Sequence, residues 1–172
     1  MAAAPIITGR FADTEKMWAR TLDASPGQDA FVAGMHWLAT PVSLATRREL
    51  RLPSPRSVTA LTSAAFAEFE RTDARTLVAR APSGILGPLG RSLRSRPFVK
   101  GETIAGPRCR IEILEPGAAD PTSVRFTFDR PLEDPSFAWF FASPVGFVKV
   151  HPPPVGATYP VVNAGMLPTF GR

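Results

Sequence analysis

Cys109 is the only cysteine of the 172-residue chain, and His36 and His151 are its only histidines. These three hold the chain's whole stock of thiol and imidazole chemistry. A thiol becomes a nucleophile when a base stands within hydrogen-bond reach, so Cys109 with either histidine would form such a pair if the fold joined them. Cys109, however, falls in the apolar row of an alternating run, which predicts a buried and inert thiol. His36 lies in Gly34-Met35-His36-Trp37 on a predicted helix and reads as packed or hydrogen-bonded. His151 precedes Pro152, Pro153 and Pro154 at a strand end, where a cleft mouth can form, but the sequence supplies it no partner. Three such groups far apart offer no metal-ligand spacing, so no zinc and no cofactor is expected.

The carboxylates give no stronger signal. Glu68 with Glu70, Glu112 with Glu115, and Glu133 with Asp134 are the acid pairs. Acid and base work on a substrate needs two carboxylates held across it, which adjacent acids in a turn do not provide. No Gly-x-Ser-x-Gly elbow is present, and no dinucleotide fingerprint follows a strand. Gly84, Gly87 and Gly90 are evenly spaced and lead into a basic run, the composition of a phosphate-cradling loop. Pro88 removes one N–H from that loop and no Gly-Lys-Ser/Thr follows, so the segment reads as a flexible basic loop instead.

The clearest functional signal is charge. Residues 86 to 110 hold Arg91, Arg94, Arg96, Lys100, Arg108 and Arg110 against Glu102 alone, and this segment accounts for the whole formal excess of +5. Such a patch suits phosphate, an acidic protein or anionic lipid. Binders of single-stranded nucleic acid interleave aromatics with bases. Here Phe98 is the only aromatic within the basic run, while Phe126, Phe128, Phe137, Trp139, Phe140 and Phe141 lie apart from it, as core residues do.

The elements that must position these residues divide the chain in two. In the first half, spacing predicts about four short helices. Residues 11 to 22 carry Met17 or Trp18 and Leu22 on one side, and Ser25-Pro26-Gly27-Gln28 is a capping-box arrangement opening a helix with Phe31, Met35 and Leu38. Thr40-Pro41 opens a third over 42 to 50, and Ser57 caps a fourth with Val58, Leu61, Ala65 and Phe69 or Phe66. In the second half, 76 to 79, 108 to 113, 124 to 129, 137 to 141 and 145 to 150 read as strands, and the runs at 108 and 124 flank a turn and pair antiparallel. The expected fold is α+β: a helical part over 11–71 packed on a small antiparallel sheet over 75–150, together forming one domain of residues 1–150. An extended, apolar, proline-rich tail over 151–172 completes the chain, suited to lying on its own domain or a partner through Pro152, Pro153, Pro154, Tyr159 and Phe170.

A chain with one cysteine forms no internal disulfide, and neither a basic leader nor a secretion signal is visible, so an intracellular, reducing compartment is expected. The apolar windows 31–45 and 137–150 are too short to span a membrane and are broken by Pro41 and Pro144, leaving at most a shallow membrane contact. Three functions are compatible with these features. The leading expectation is a non-catalytic structural or interaction protein, an accessory subunit docking on other protein subunits through residues 86–110 and the tail. The alternatives are an RNA- or anion-binding module using the same cations, and a small-molecule binder or enzyme with a pocket between helices and aromatic sheet.

Overall fold

A computed structural model describes residues 13, 15–35, 39–87 and 94–162. The chain is mostly β. Among the described residues ten strands form two sheets: β1 (Asp29–Ala33), β2 (Ser57–Thr62), β8 (Phe137–Ser143) and β9 (Gly146–Val150) lie in the order β2-β1-β8-β9. β3 (Phe66–Arg71), β4 (Thr76–Arg80), β5 (Thr103–Ala105), β6 (Cys109–Glu115), β7 (Ser123–Phe128) and β10 (Thr158–Val162) lie in the order β10-β3-β4-β7-β6-β5. The first sheet is mixed, with β1 parallel to both neighbours, and the second is antiparallel throughout. A helix over 15–21 (α1) and a second at Ala39–Glu49 (α2) lie outside the sheets, α2 forming the crossover between parallel strands β1 and β2.

This overturns the expected helical half packed on a small sheet. Ser25 and Gln28 do make half of a capping box, the Ser25 N–H donating to Gln28 Oε1 at 2.9 Å. Gly27, however, takes a left-handed φ of 88°, and the chain leaves the helical path in a turn closed by Gln28 N–H to Ser25 O at 3.1 Å. The next five residues, Asp-Ala-Phe-Val-Ala, are buried at every position because β1 is the strand covered on both faces. A strand of that kind shows no two-residue alternation, so its apolar residues can mimic helical spacing. The predicted helix from Ser57 is likewise two strands: β2 is rich in β-branched residues, and β3 buries Ala67, Phe69 and Arg71 while turning Glu68 and Glu70 outward. Thr62 Oγ1 breaks the run, donating to Ile85 O at 2.9 Å and accepting Ala64 N–H at 3.0 Å.

The expected helices over 11–22 and 42–50 correspond to α1 and α2, and the strands near 76, 109, 124, 137 and 146 are present. β6 and β7 pair antiparallel, with Ile111 opposite Phe126 and Ile113 opposite Val124. Their inner face does not carry the helices. It meets the other sheet, in a core where Phe31, Phe137 and Trp139 pack against Phe126 and Phe128. Phe31 stacks on Trp139 at 4.9 Å and meets Phe128 edge-on at 5.1 Å, and the Trp139 indole N–H donates to Leu132 O at 2.8 Å. The first sheet's outer face carries α1 instead, with Trp18 and Leu22 against Val32, Phe140 and Phe147. The layers run helix, four-stranded sheet, six-stranded sheet.

Candidate docking surface

The basic segment enters the fold at the edge of the six-stranded sheet. Hairpin β5–β6 is turned by Gly106, whose N–H donates to Cys109 O at 2.8 Å; a Cβ there would stand 2.9 Å from that oxygen, so glycine is needed for the close approach. Thr103, Ile104 and Ala105 pair with Glu112, Ile111 and Arg110, and all three are exposed. Just before β5, Gly101 sits at φ 79° in a tight turn, with Glu102 N–H donating to Val99 O at 3.0 Å.

Glu102 is the anion around which this turn is built. Arg94 Nη2 donates to Glu102 Oε1 at 2.6 Å, Arg96 Nη2 approaches the same oxygen at 3.3 Å, and Val99 N–H donates to Oε2 at 3.2 Å. The Arg94 hydrogen bond holds the Glu102 carboxyl below its ordinary range, against partial desolvation and with help from Val99 and Arg96. Arg94 also lies over the Phe98 ring at 4.3 Å. Arg94 is therefore committed to shaping the loop. Arg96, 78% exposed, shares Glu102 at the loop's surface. Lys100 and Arg110 are exposed, and no ion pair binds either among the described residues.

Arg108 has a different place. Its Nη1 pairs with Asp129 at 2.8 Å, its Nε lies 3.0 Å from Asp29 Oδ2, and its guanidinium packs over Phe137 at 5.4 Å. Nε and Nη2 are buried and make no aligned hydrogen bond among the described residues. Asp29, 1% exposed, also accepts a bidentate pair from Arg56 and the Ser57 hydroxyl at 2.7 Å. The Arg56 hydrogen bond, opposed by desolvation and aided by Ser57, keeps the Asp29 carboxyl below its ordinary range. This network ties β1, β2 and the β6 hairpin together.

Of the remaining predicted residues, Arg91, His36 and Phe170 lie outside the described residues. Cys109 is buried, and desolvation, then the charge of Asp129, pushes its thiol up to about 11, which leaves a poor nucleophile. His151, Pro152 and Pro153 line, with Phe69, Trp139 and Tyr159, a cavity of about 40 Å³ between the sheets. Ligand pockets run about 300 to 1,000 Å³, so this space takes no drug-sized molecule. Tyr159 contacts the Phe141 ring at 5.2 Å, and β10 pairs with β3, so this part of the tail lies on its own domain. A second, open cleft of about 330 Å³ is lined by Pro82, Ser83, Gly84, Ala118, Ala119, Asp120 and Thr122, but the Asp120 carboxylate there accepts Gly87 N–H at 2.9 Å and Leu86 N–H at 3.1 Å. Among the described residues no group of three or more His, Cys, Asp or Glu is placed to hold a metal ion, and no helix is long and apolar enough to cross a membrane.

Two residues that hold the fold together are not singled out by any motif in the sequence. Asp29 is a lone acid before an apolar run. Arg71, 4% exposed, pairs with Glu133 and donates to Pro153 O at 3.0 Å and Asp73 O at 2.9 Å, anchoring the turn into the tail. Only a period of two over 66–71 places Arg71 on the inner face. Comparison with protein-family models, curated proteins and solved structures finds no match to this chain.

Proposed function

We propose that this protein is a non-catalytic docking module that joins a larger protein assembly through the basic turn and hairpin edge at 94–110. The observation behind this reading is the pair of exposed cations, Lys100 and Arg110, at the two ends of a sheet edge that none of the described residues covers, while Arg94 and Arg108 are consumed in holding the loop and the core. Cations with no ion pair among the described residues, one on a hairpin and one in the turn before it, attract an acidic surface and fix its register. The 158–162 part of the tail is paired within the chain, where β10 completes the opposite edge of the same sheet.

The test is native purification of the tagged full chain and of Lys100→Gln/Arg110→Gln from the source cells, with nuclease treatment of both. A stoichiometric protein partner that survives nuclease and is lost in the double variant is the expected result. A complex dispersed by nuclease would favour the RNA-binding alternative, and the same partner recovered with both proteins would contradict docking through these cations.

A further inference from the structure

Two of the sheet edges are guarded. β10 carries Pro160, which lacks the N–H an added strand would need. On β9 the Phe147 N–H is already taken by Thr21 Oγ1 at 2.8 Å, and Lys149 Nζ reaches Asp23 O at 3.1 Å, so α1 closes that edge. β5 is guarded by neither device: it has no proline, no charged residue and no covering partner among the described residues, and all its positions are exposed.

The hydrogen bonds fix which of its groups face outward. Glu102 O accepts Ile113 N–H at 2.9 Å and Gly106 N–H donates to Cys109 O at 2.8 Å. In an antiparallel ladder these pairs alternate, so the Glu102 carbonyl, both polar groups of Ile104 and the Gly106 N–H turn toward β6, and residues 103 and 105 turn their polar groups to solvent. The N–H and C=O of Thr103 and of Ala105 thus form the template for one more strand. Arg110 is opposite Ala105, whose methyl leaves the sheet surface beside it open. A strand added to β5 would run about 10 Å from β6, two strand spacings, within the combined length of an arginine and a glutamate side chain. Lys100, in the turn before β5, lies at the other end of the same edge.

We infer that β5 is a strand-addition site for an extended acidic segment of a partner protein, whose backbone pairs with Thr103 and Ala105 and whose carboxylates meet Arg110 and Lys100. Backbone pairing supplies affinity in this mode of recognition and the flanking side chains supply selectivity. The inference rests on the docking role proposed above and specifies its chemistry.

The experiment titrates the full chain with a capped peptide alternating glutamate and threonine, with its lysine counterpart and with oligouridine as controls. It uses wild type, Ala105→Pro and Lys100→Gln/Arg110→Gln. Ala105→Pro removes one outward donor without touching the β6 ladder and should weaken the acidic peptide roughly fivefold to tenfold, the worth of one backbone hydrogen bond; the double variant should weaken it further. In wild type, the amides of Thr103 and Ala105 should gain protection from hydrogen exchange only when the acidic peptide is bound, a readout that holds even if Ala105→Pro folds poorly. Equal affinity of Ala105→Pro and wild type, or no protection at 103 and 105, overturns strand addition while leaving the docking reading standing if the double variant still loses binding. No binding of the acidic peptide to wild type at low salt overturns both, as does tighter binding of oligouridine.

Discussion

Arg108 and Arg110 stand two residues apart on either side of Cys109 and do opposite work. Arg108 is folded inward against Asp29, Asp129 and the Phe137 ring, with 20% of its side chain exposed. Arg110 lies on the outer face of β6 beside the small Ala105 and has no ion pair among the described residues. A run of arginines is therefore not one feature. Cost decides its division: a guanidinium taken from water needs carboxylates and carbonyls around it, and the described residues supply these to Arg108, Arg71 and Arg47 but not to Arg110 or Lys100. Arg47 shows the same rule, 5% exposed and donating to Pro53 O at 2.9 Å and to Ala19 O.

Substitutions in the inward set should break the fold, and the largest effect belongs to Arg71. Arg71→Met removes the bonds to Glu133, Pro153 O and Asp73 O together, and should cost about 3 kcal/mol, read as a fall in thermal midpoint with loss of exchange protection at Gly156, whose N–H donates to the residue 71 carbonyl, and at residue 71, whose N–H donates to Ala157 O. Arg108→Gln should cost about 2 kcal/mol, because Asp29 keeps Arg56 and Ser57. Asp29→Asn adds a pH signature. The folded carboxyl titrates below its unfolded value near 4, so its contribution is complete above that pH and is lost as pH falls through the folded value. The stability gap between wild type and Asp29→Asn should therefore narrow on acidification, and a gap constant from pH 7 to pH 3 would rule out stabilisation by this ion pair.

Cys109, between the two arginines, sharpens the comparison chemically. With its thiol at about 11, alkylation by iodoacetamide at pH 8 should run roughly a hundredfold slower in the folded chain than in the unfolded one. The smallest stability change belongs to the outward pair: Lys100→Gln/Arg110→Gln should stay within about 0.5 kcal/mol of wild type, measured by denaturant unfolding.

Strand pairing in the second half is legible in the sequence because β6 and β7 alternate: Ile111, Ile113, Val124 and Phe126 face the core and Arg110, Glu112 and Arg125 face water. In the first half α1 and α2 are legible and the strands are not, because β1 is covered on both faces and so has no alternation to read. Ser25 and Gln28 then offer a helix start that Gly27 diverts into a turn. The charge excess at 86–110 is visible in the sequence. Its division between core and surface is not, since the partners of Arg108 are Asp29 and Asp129, the first of them far away along the chain.

The decisive measurement sets Arg108→Gln beside Arg110→Gln in two assays, denaturant unfolding and titration with the glutamate–threonine peptide. A crossing is expected: Arg108→Gln loses stability and keeps the peptide affinity of wild type, and Arg110→Gln keeps stability and loses affinity. Parallel losses, with Arg110→Gln destabilised as much as Arg108→Gln or binding as well as wild type, would contradict the division between the two arginines.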